Sequence, residues 1–314
     1  MALSKTDIMK RQAAQWSVLS SSVFIALKIG VFMSTGSISV LAETFHSGAD
    51  LVGSTVAMWS VRFADNPPDS DHAYGHGKFE NMSGMLIALM ILVAGAATVH
   101  EAIQHLSHPH ELTSPAAALV VMGLSAIVNF VVSRNLLRVG KLTDSPALTA
   151  DGHHLRTDII TSAGVFVSLL IMTIVPHAAW IDPVAAIIVS VFIFWIGLQI
   201  ARDSMSMLTD AALPAHEERL LRSVLENDER VLGYHKLRTR KAGSHRHIDV
   251  HVMIADTFSF IEAHQVTEEI EEALREALGN VHPIIHIEPF EEELNHQARA
   301  HGNDVPKGEY RRGG

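Results

Sequence analysis

Hydrophobic positions are unevenly distributed along the chain. Residues 1–209 contain long apolar runs, whereas the remainder alternates between polar and apolar positions. A helix that crosses ~30 Å of hydrocarbon needs about 20 mostly apolar residues. We therefore predict an α-helical membrane domain in residues 1–209 with six transmembrane helices, at Ala14–Ser34, Ile38–Phe63, Met82–His105, Ala116–Leu137, Ala147–Val175 and Pro183–Ile200.

Residues 210–292 show the shorter patterns of a small α+β domain. In one segment Ile248, Val250 and Val252 alternate with polar residues, which is typical of a strand with one buried face. The predicted order is α-β-β-α-β, at Pro214–Leu225, Val231–Lys241, His247–Ala255, Ile261–Leu278 and Ile284–Glu288. Residues 293–314 are polar, and we predict that they form a disordered tail.

Lysine and arginine residues predict the orientation in the membrane. The three connections on one side, Thr35–Ser37, Leu106–Pro115 and Pro176–Asp182, contain neither residue type. Because loops rich in lysine and arginine stay in the cytoplasm, we predict that both termini and the α+β domain are cytoplasmic.

Composition narrows the class of protein. The chain has 24 Lys and Arg against 34 Asp and Glu, and this net charge of −10 argues against a nucleic-acid-binding protein. Only 18% of the residues are charged, below the ~25% of soluble globular proteins, so a soluble protein with buried helices is disfavoured. The sequence has no cysteine, which excludes disulfides and thiolate metal sites, but it has 20 histidines.

Two histidine–aspartate pairs lie within the predicted spans. His46 and Asp50 in span 2 have the same i, i+4 spacing as His154 and Asp158 in span 5, so each pair shares one helix face. Both pairs are expected roughly 12–20 Å from a membrane surface. Ionisable residues at this depth are costly and usually functional. Two imidazoles and two carboxylates suit a tetrahedral ion such as Zn²⁺.

Two further groups are candidates for metal binding. Asp69, His72 and His76 lie in the loop after span 2, where they could close on a metal ion from the cytoplasmic side. In the α+β domain, His251 and His286 lie on predicted strands, and Glu288 shares a face with His286. Scattered surface histidines are an equally good interpretation of this last group.

Four motifs resemble those of the cation diffusion facilitator family. They are Thr35–Asp50 across span 2, Tyr74–Lys78 before span 3, His153–Asp158 in span 5 and Trp180–Pro183 before span 6. The resemblance extends over residues 12–290, and the α-β-β-α-β domain is similar to the metallochaperone-like module of the family.

The resemblance implies a homodimeric transporter in the lipid bilayer that exports divalent metal in exchange for protons. By position, His46, Asp50, His154 and Asp158 would form the transport site, and Asp69, His72 and His76 a loop site. An interlocking charge pair would join Lys78 to Asp210. The implied cytoplasmic site, near the dimer interface, consists of His235, His251, His264, His286 and Glu288.

The same resemblance suggests which metal is carried and in which membrane. Histidine at position 46 is associated in the family with zinc rather than cadmium, although Cd²⁺, Co²⁺, Fe²⁺ or Mn²⁺ would also fit the ligands. No histidine-rich insertion lies between spans 4 and 5, which favours a bacterial inner-membrane protein. Metal binds neutral imidazole, so protons and metal compete at His46 and His154.

Two other functions fit part of the pattern. An intramembrane metallohydrolase would need a motif such as His-Glu-x-x-His, and neither His110-Glu111 nor His216-Glu217 continues in that way. A membrane-tethered metal sensor would not need four ligands within its membrane anchors. We therefore expect a transporter and not an enzyme.

Overall fold

The computed structural model describes residues 5–35, 38–107, 116–174, 181–294 and 309–310. The chain divides into two compact units, Met1–Leu208 and Thr209–Gly314. This boundary lies one residue from the predicted one. The three connections predicted on the non-cytoplasmic side fall largely outside the described residues.

The first unit consists of six helices, one for each predicted span. Most of them extend beyond the apolar segment, because their polar ends continue the helix; the first begins nine residues before Ala14. The helices are α1 Lys5–Thr35, α2 Ile38–Ala64, α3 Lys78–Ser107, α4 Ala116–Thr143, α5 Pro146–Ile174 and α6 Ile181–Leu208.

Three of these helices are long and apolar enough to cross a membrane by composition alone. They are α1, α3 and α6, in the segments Lys5–Ser34, Lys78–Gln104 and Pro183–Leu208. This finding refers to the residues whose side chains the structure describes, which include only part of α2, α4 and α5.

Glycines allow the helices to approach closely at several places, of which Gly152 and Gly197 are examples. A Cβ atom on Gly152 in α5 would lie 2.8 Å from Cγ of Leu137 in α4, and one on Gly197 in α6 would lie 3.0 Å from Cδ2 of Leu92 in α3. Ser133 of α4 also donates a hydrogen bond to the carbonyl of Gly152, at 2.8 Å. These contacts hold α5 firmly against α4, two residues before His154.

A buried charge network joins the ends of several helices. Nζ of Lys10 in α1 lies 2.7 Å from Asp65, just after α2, and 3.3 Å from Glu80 in α3. Arg11 contacts the same Asp65 at 3.0 Å. Ser145, just before α5, donates a hydrogen bond to Glu80, whose side chain is 1% exposed. Two cations and two carboxylates thus compensate one another.

The second unit is an α+β domain with the predicted order of elements. It contains α7 Ala215–Asn227, β1 Gly233–Ala242, β2 His245–Ile254, α8 Phe260–Leu278 and β3 Val281–Pro289. Strands β1 and β2 form an antiparallel hairpin whose turn contains Gly243 at φ 59°, and β3 pairs parallel to β2. The apolar face of β2 packs against both helices, through a core that includes Ile248, Val250, Leu221 and Ile270.

The described residues of the predicted tail have regular structure: 293 and 294 end a short helix that begins at residue 290. Glu309–Tyr310 form a fourth strand, β4, which pairs antiparallel with Gly233 and Tyr234 of β1 and completes the sheet order β3-β2-β1-β4. The polar composition gave no indication of β4, because backbone hydrogen bonds to an existing strand do not require apolar side chains. Residues 295–308 and 311–314 of the predicted tail lie outside the described part of the chain.

Candidate metal centres

The two histidine–aspartate pairs of α2 and α5 come together, as their matched spacing predicts. One ligand atom from each of His46, Asp50 and Asp158 lies within 4.8 Å of the others, whereas His154 is outside this group of three and contacts Asp50. Nε2 of His46 is 3.6 Å from Oδ1 of Asp158, and Nε2 of His154 is 3.3 Å from Oδ1 of Asp50. Each helix therefore contributes one imidazole and one carboxylate, and each pair of neighbours joins α2 to α5.

Two of these side chains are buried and poorly satisfied. Oδ1 of Asp50 and Nε2 of His154 face each other at 3.3 Å without hydrogen-bond geometry, and among the described residues neither these atoms nor Nδ1 of His154 have a hydrogen-bond partner. Their side chains are only 10% and 5% exposed. Buried polar atoms are nearly always hydrogen-bonded, so such a group needs an explanation. A ligated cation would satisfy both residues.

A cavity of about 60 Å³ adjoins these ligands, and helices α1, α2, α4 and α5 line it. Its wall includes His46, Asp50 and Asp158. Several polar residues that have no predicted role also line the cavity, among them Lys28, Asn129 and Thr161. The sequence shows Lys28 as a charged residue within an apolar span. Its Nζ donates a hydrogen bond to Oγ of Ser47 at 2.8 Å, and Lys28 is 5% exposed.

Asp151 is a further polar residue that sequence reasoning left without a role. It lies one turn before His154 in α5 and is completely buried. Ser17 of α1 donates to its Oδ2 at 2.7 Å, and Ser54 of α2 donates to its Oδ1 at 3.1 Å. These bonds fix the relative positions of three helices beside the ligands.

The predicted loop site is also assembled. Ligand atoms of Asp69, His72 and His76 lie within 4.8 Å of one another, and Asp69 lies 3.4 Å from His72 and 3.2 Å from His76. The backbone N–H of His72 donates to Asp69 and holds the pKa of this carboxyl below its usual value. The ring of His76 is buried against Phe63 and Phe79. A rigid imidazole and an ionised carboxylate thus face an exposed histidine.

The strand register brings together most of the predicted cytoplasmic site. His235 of β1 pairs with His251 of β2, which in turn pairs with His286 of β3, so three imidazoles form one row across the sheet. Glu288 lies between them: its Oε2 is 2.6 Å from Nε2 of His235 and its Oε1 is 2.7 Å from Nδ1 of His251. Nε2 of His286 is 3.5 Å from the same Oε1.

These neighbours keep Glu288 ionised. Burial raises its pKa, but hydrogen bonds from His251 and His235 outweigh burial and lower the pKa below its usual value. His264 is the predicted ligand that a single chain does not bring to this row. It is exposed on α8, 3.5 Å from Glu268 of the same helix. Its part in the site stays a prediction.

The predicted charge pair also stays a prediction. Nζ of Lys78 donates to the carbonyl of Leu208 at 3.4 Å, within the helical unit. Asp210 lies 3.3 Å from the guanidinium of Arg240, within the α+β unit. Each residue thus has a described contact inside its own unit.

Sequence comparisons place both units in a known family. Residues 14–209 match the cation efflux transmembrane domain, and residues 213–290 match the cytoplasmic domain of cation efflux proteins. The chain is 32% identical over 300 residues to an uncharacterized transporter of Synechocystis, covering 94% of this chain and 96% of the relative. It is 29% identical over 272 residues to the cation-efflux pump FieF of Pectobacterium atrosepticum, covering 85% and 88%.

Two solved structures resemble the α+β unit. One is the metal-bound C-terminal domain of the CzcD transporter from Thermotoga maritima, 23% identical, covering 25% of this chain and 95% of that one, with a TM-score of 0.23. The other is the zinc form of the transporter CzrB, 33% identical, covering 26% and 93%, also with a TM-score of 0.23. The match of both units, over nearly the whole chain, means that this membrane protein belongs to the cation diffusion facilitator family of divalent-metal efflux transporters.

Proposed function

We propose that the protein exports Zn²⁺ from the cytoplasm through the site formed by His46, Asp50, His154 and Asp158. The observation that carries this proposal is the unsatisfied burial of Asp50 and His154 beside a polar cavity, within a helix bundle. Two nitrogen and two oxygen ligands fit the tetrahedral preference of Zn²⁺. Helices α2 and α5 supply all four, so a small rotation of one helix would open or close the site.

Exchange with protons follows from the chemistry of the ligands. His46 and His154 bind metal only as neutral imidazoles, so metal loading displaces protons and protonation releases metal. If the site faces one side of the membrane at a time, an inward proton gradient favours protonation, and hence metal release, on the outside. Asp50 and Asp158 add two negative charges, which match the charge of the ion.

The other two sites have supporting roles in this proposal. The loop site of Asp69, His72 and His76 collects metal at the cytoplasmic surface. The row of His235, His251 and His286, with Glu288 and with His264, binds regulatory zinc near a dimer interface. Support comes from the family assignment of the α+β unit and from the metal-bound state named for the CzcD domain. The lysine and arginine distribution supports cytoplasmic termini in a bacterial inner membrane.

The decisive experiment is metal transport by the purified full-length protein in proteoliposomes. Zn²⁺, Cd²⁺, Co²⁺, Fe²⁺ and Mn²⁺ are each supplied with and without an imposed pH gradient, while a pH-sensitive dye follows proton flux. We expect Zn²⁺ to move fastest, to be driven by the opposing proton gradient, and to produce a proton flux. Zinc movement that is indifferent to the gradient would contradict antiport, and faster movement of another metal would contradict zinc preference.

A further inference from the structure

A second group of histidines lies on the same face of the sheet, away from the row that contains His251. His245 and His247 are on β2, and His282 on β3 pairs in register with His247. Four residues of extended strand separate His247 from His251, which is about 13 Å at 3.3 Å per residue. The two groups are therefore too far apart to bind the same ion.

The first two of these imidazoles have the spacing of metal ligands. Nε2 of His282 lies 3.2 Å from Nδ1 of His245, and the ring centroids are 5.3 Å apart. Two nitrogens bound to one tetrahedral zinc ion at 2.0–2.1 Å are separated by about 3.3–3.4 Å. His245 and His282 thus already form one edge of a coordination tetrahedron. His247 stacks on His282 with centroids 5.4 Å apart, and a rotation of its ring brings a third nitrogen to the ion.

Two charged groups near His247 act on an ion at this position in opposite directions. Arg240 opposes a cation at this end of the sheet, but its guanidinium is engaged by Asp210 at 3.3 Å. The carboxylate of Asp249, two residues along β2, acts on His247 with the opposite sign.

We propose that His245, His282 and His247 bind a second divalent ion in the cytoplasmic domain, distinct from the one at Glu288. An imidazole-only ligand set selects Zn²⁺, Co²⁺ or Ni²⁺ over Mg²⁺, Ca²⁺ or Mn²⁺. The ion connects the beginning of β2 to the beginning of β3, next to the turn at Gly243, and stabilises their parallel pairing. This site does not depend on the transport site in α2 and α5.

Histidine footprinting of the full-length protein tests the site directly. The metal-free protein in detergent is treated with diethylpyrocarbonate at increasing Zn²⁺, and each modified histidine is located by mass spectrometry. We expect zinc to protect His245 and His282 in the unmodified chain and equally in a His251→Ala variant. The second protein separates this site from the row around Glu288.

Stoichiometry gives an independent readout. In equilibrium dialysis, a His245→Asn/His282→Asn variant should bind one Zn²⁺ fewer per chain than the unmodified protein. A His216→Asn variant, changed at an exposed histidine of α7, should bind as many. Unchanged stoichiometry in the double variant, or equal labelling of His245 and His282 with and without zinc, would overturn the proposal. If the double variant fails to fold, the footprint of the unmodified chain alone decides.

Discussion

Several ionisable side chains of this protein lie where burial makes them costly, and most of them face one another. Asp50 and His154 are the clearest case, because each has a polar atom with no hydrogen-bond partner in the described part of the chain. By contrast, Asp151 is equally buried but accepts hydrogen bonds from Ser17 and Ser54. Asp151 thus fixes helix positions, whereas Asp50 is a residue that we propose binds the transported ion.

The Asp50→Ala variant should stop zinc transport without unfolding the protein. It removes one of four ligands, and we expect transport to fall by more than about tenfold, the equivalent of ~1.4 kcal/mol of lost binding. Folding should survive because an ionisable residue buried within a membrane span is costly to the native state. Proteoliposome flux and the unfolding temperature are measured together, with Asp203→Asn, an exposed change on α6, as the control. Near-normal transport would refute the transport-site assignment.

His247 should make the α+β domain sensitive to mild acid. Its pKa is lowered to about 4 in the folded state and is about 6.5 when unfolded, so the unfolded chain binds more protons between these values. Stability is then full above pH 6.5 and falls as the pH drops toward 4. We expect a loss of about 1 kcal/mol, because the ring is half-buried and partly screened.

The measurement compares unfolding temperatures at pH 7 and pH 5 in metal-free buffer. The His247→Asn variant should lose less stability than the unmodified protein over this interval, and His216→Asn should behave like the unmodified protein. An equal acid-induced loss in all three proteins would show that His247 is not the group responsible.

At the scale of elements, close packing restricts how far the helices can shift relative to one another. The close contacts at Gly152 and Gly197 hold α5 to α4 and α6 to α3. The network around Lys10 connects α1 to the end of α2 and the beginning of α3. Gly152 lies two residues before His154, so its close contact limits how far α5 can shift against α4 at the ligands.

Breaking the buried network should destabilise the helix bundle. In Lys10→Met, Glu80 loses its cation, and removal of one partner of a buried pair costs about 3 kcal/mol or more. Adding Glu80→Gln should recover part of that loss, because Asp65 retains Arg11. Unfolding temperatures of the single and double variants test this, with the exposed Lys5→Met as control. A double variant less stable than Lys10→Met would contradict the account.

The sequence predicted the elements better than their ends. The apolar runs located all six helices but did not show how far their polar ends extend. Lys10 and Arg11 are typical of a loop by residue type, but both belong to α1 because ion pairs with residues such as Asp65 compensate their charges. The matched i, i+4 spacing predicted the contacts of His46 with Asp158 and of Asp50 with His154. Strand β4 was missed because its pairing depends on the backbone alone.

At the scale of the whole molecule, metal binding and stability are coupled. The row of His235, His251 and His286 exists only when β1, β2 and β3 are in register. The unfolded chain cannot reproduce it, so an ion that binds the row, as we propose for zinc, would stabilise the native state by mass action. No pattern in the sequence showed that register, because it depends on the bulge between His235 and Arg238.

Zinc should therefore raise the unfolding temperature of the full-length protein, and a chelator should reverse the effect. At a free concentration 100 times the dissociation constant the gain is ~2.7 kcal/mol. The His251→Ala variant should lose the part of this increase that the row contributes, whereas His216→Ala should keep the whole increase. Equal zinc-induced stabilisation in both variants would show that the row does not bind the ion.

The two-residue pairing of β4 also affects the tendency of the domain to aggregate at high protein concentration. β4 covers the edge of β1 at Gly233 and Tyr234. Beyond that point β1 carries four cationic residues, and the opposite edge strand β3 contains two prolines, which lack an N–H to donate. Charged or proline-bearing edges resist edge-to-edge pairing with another sheet. The domain can thus be crowded beneath a membrane with little tendency to aggregate through its strands.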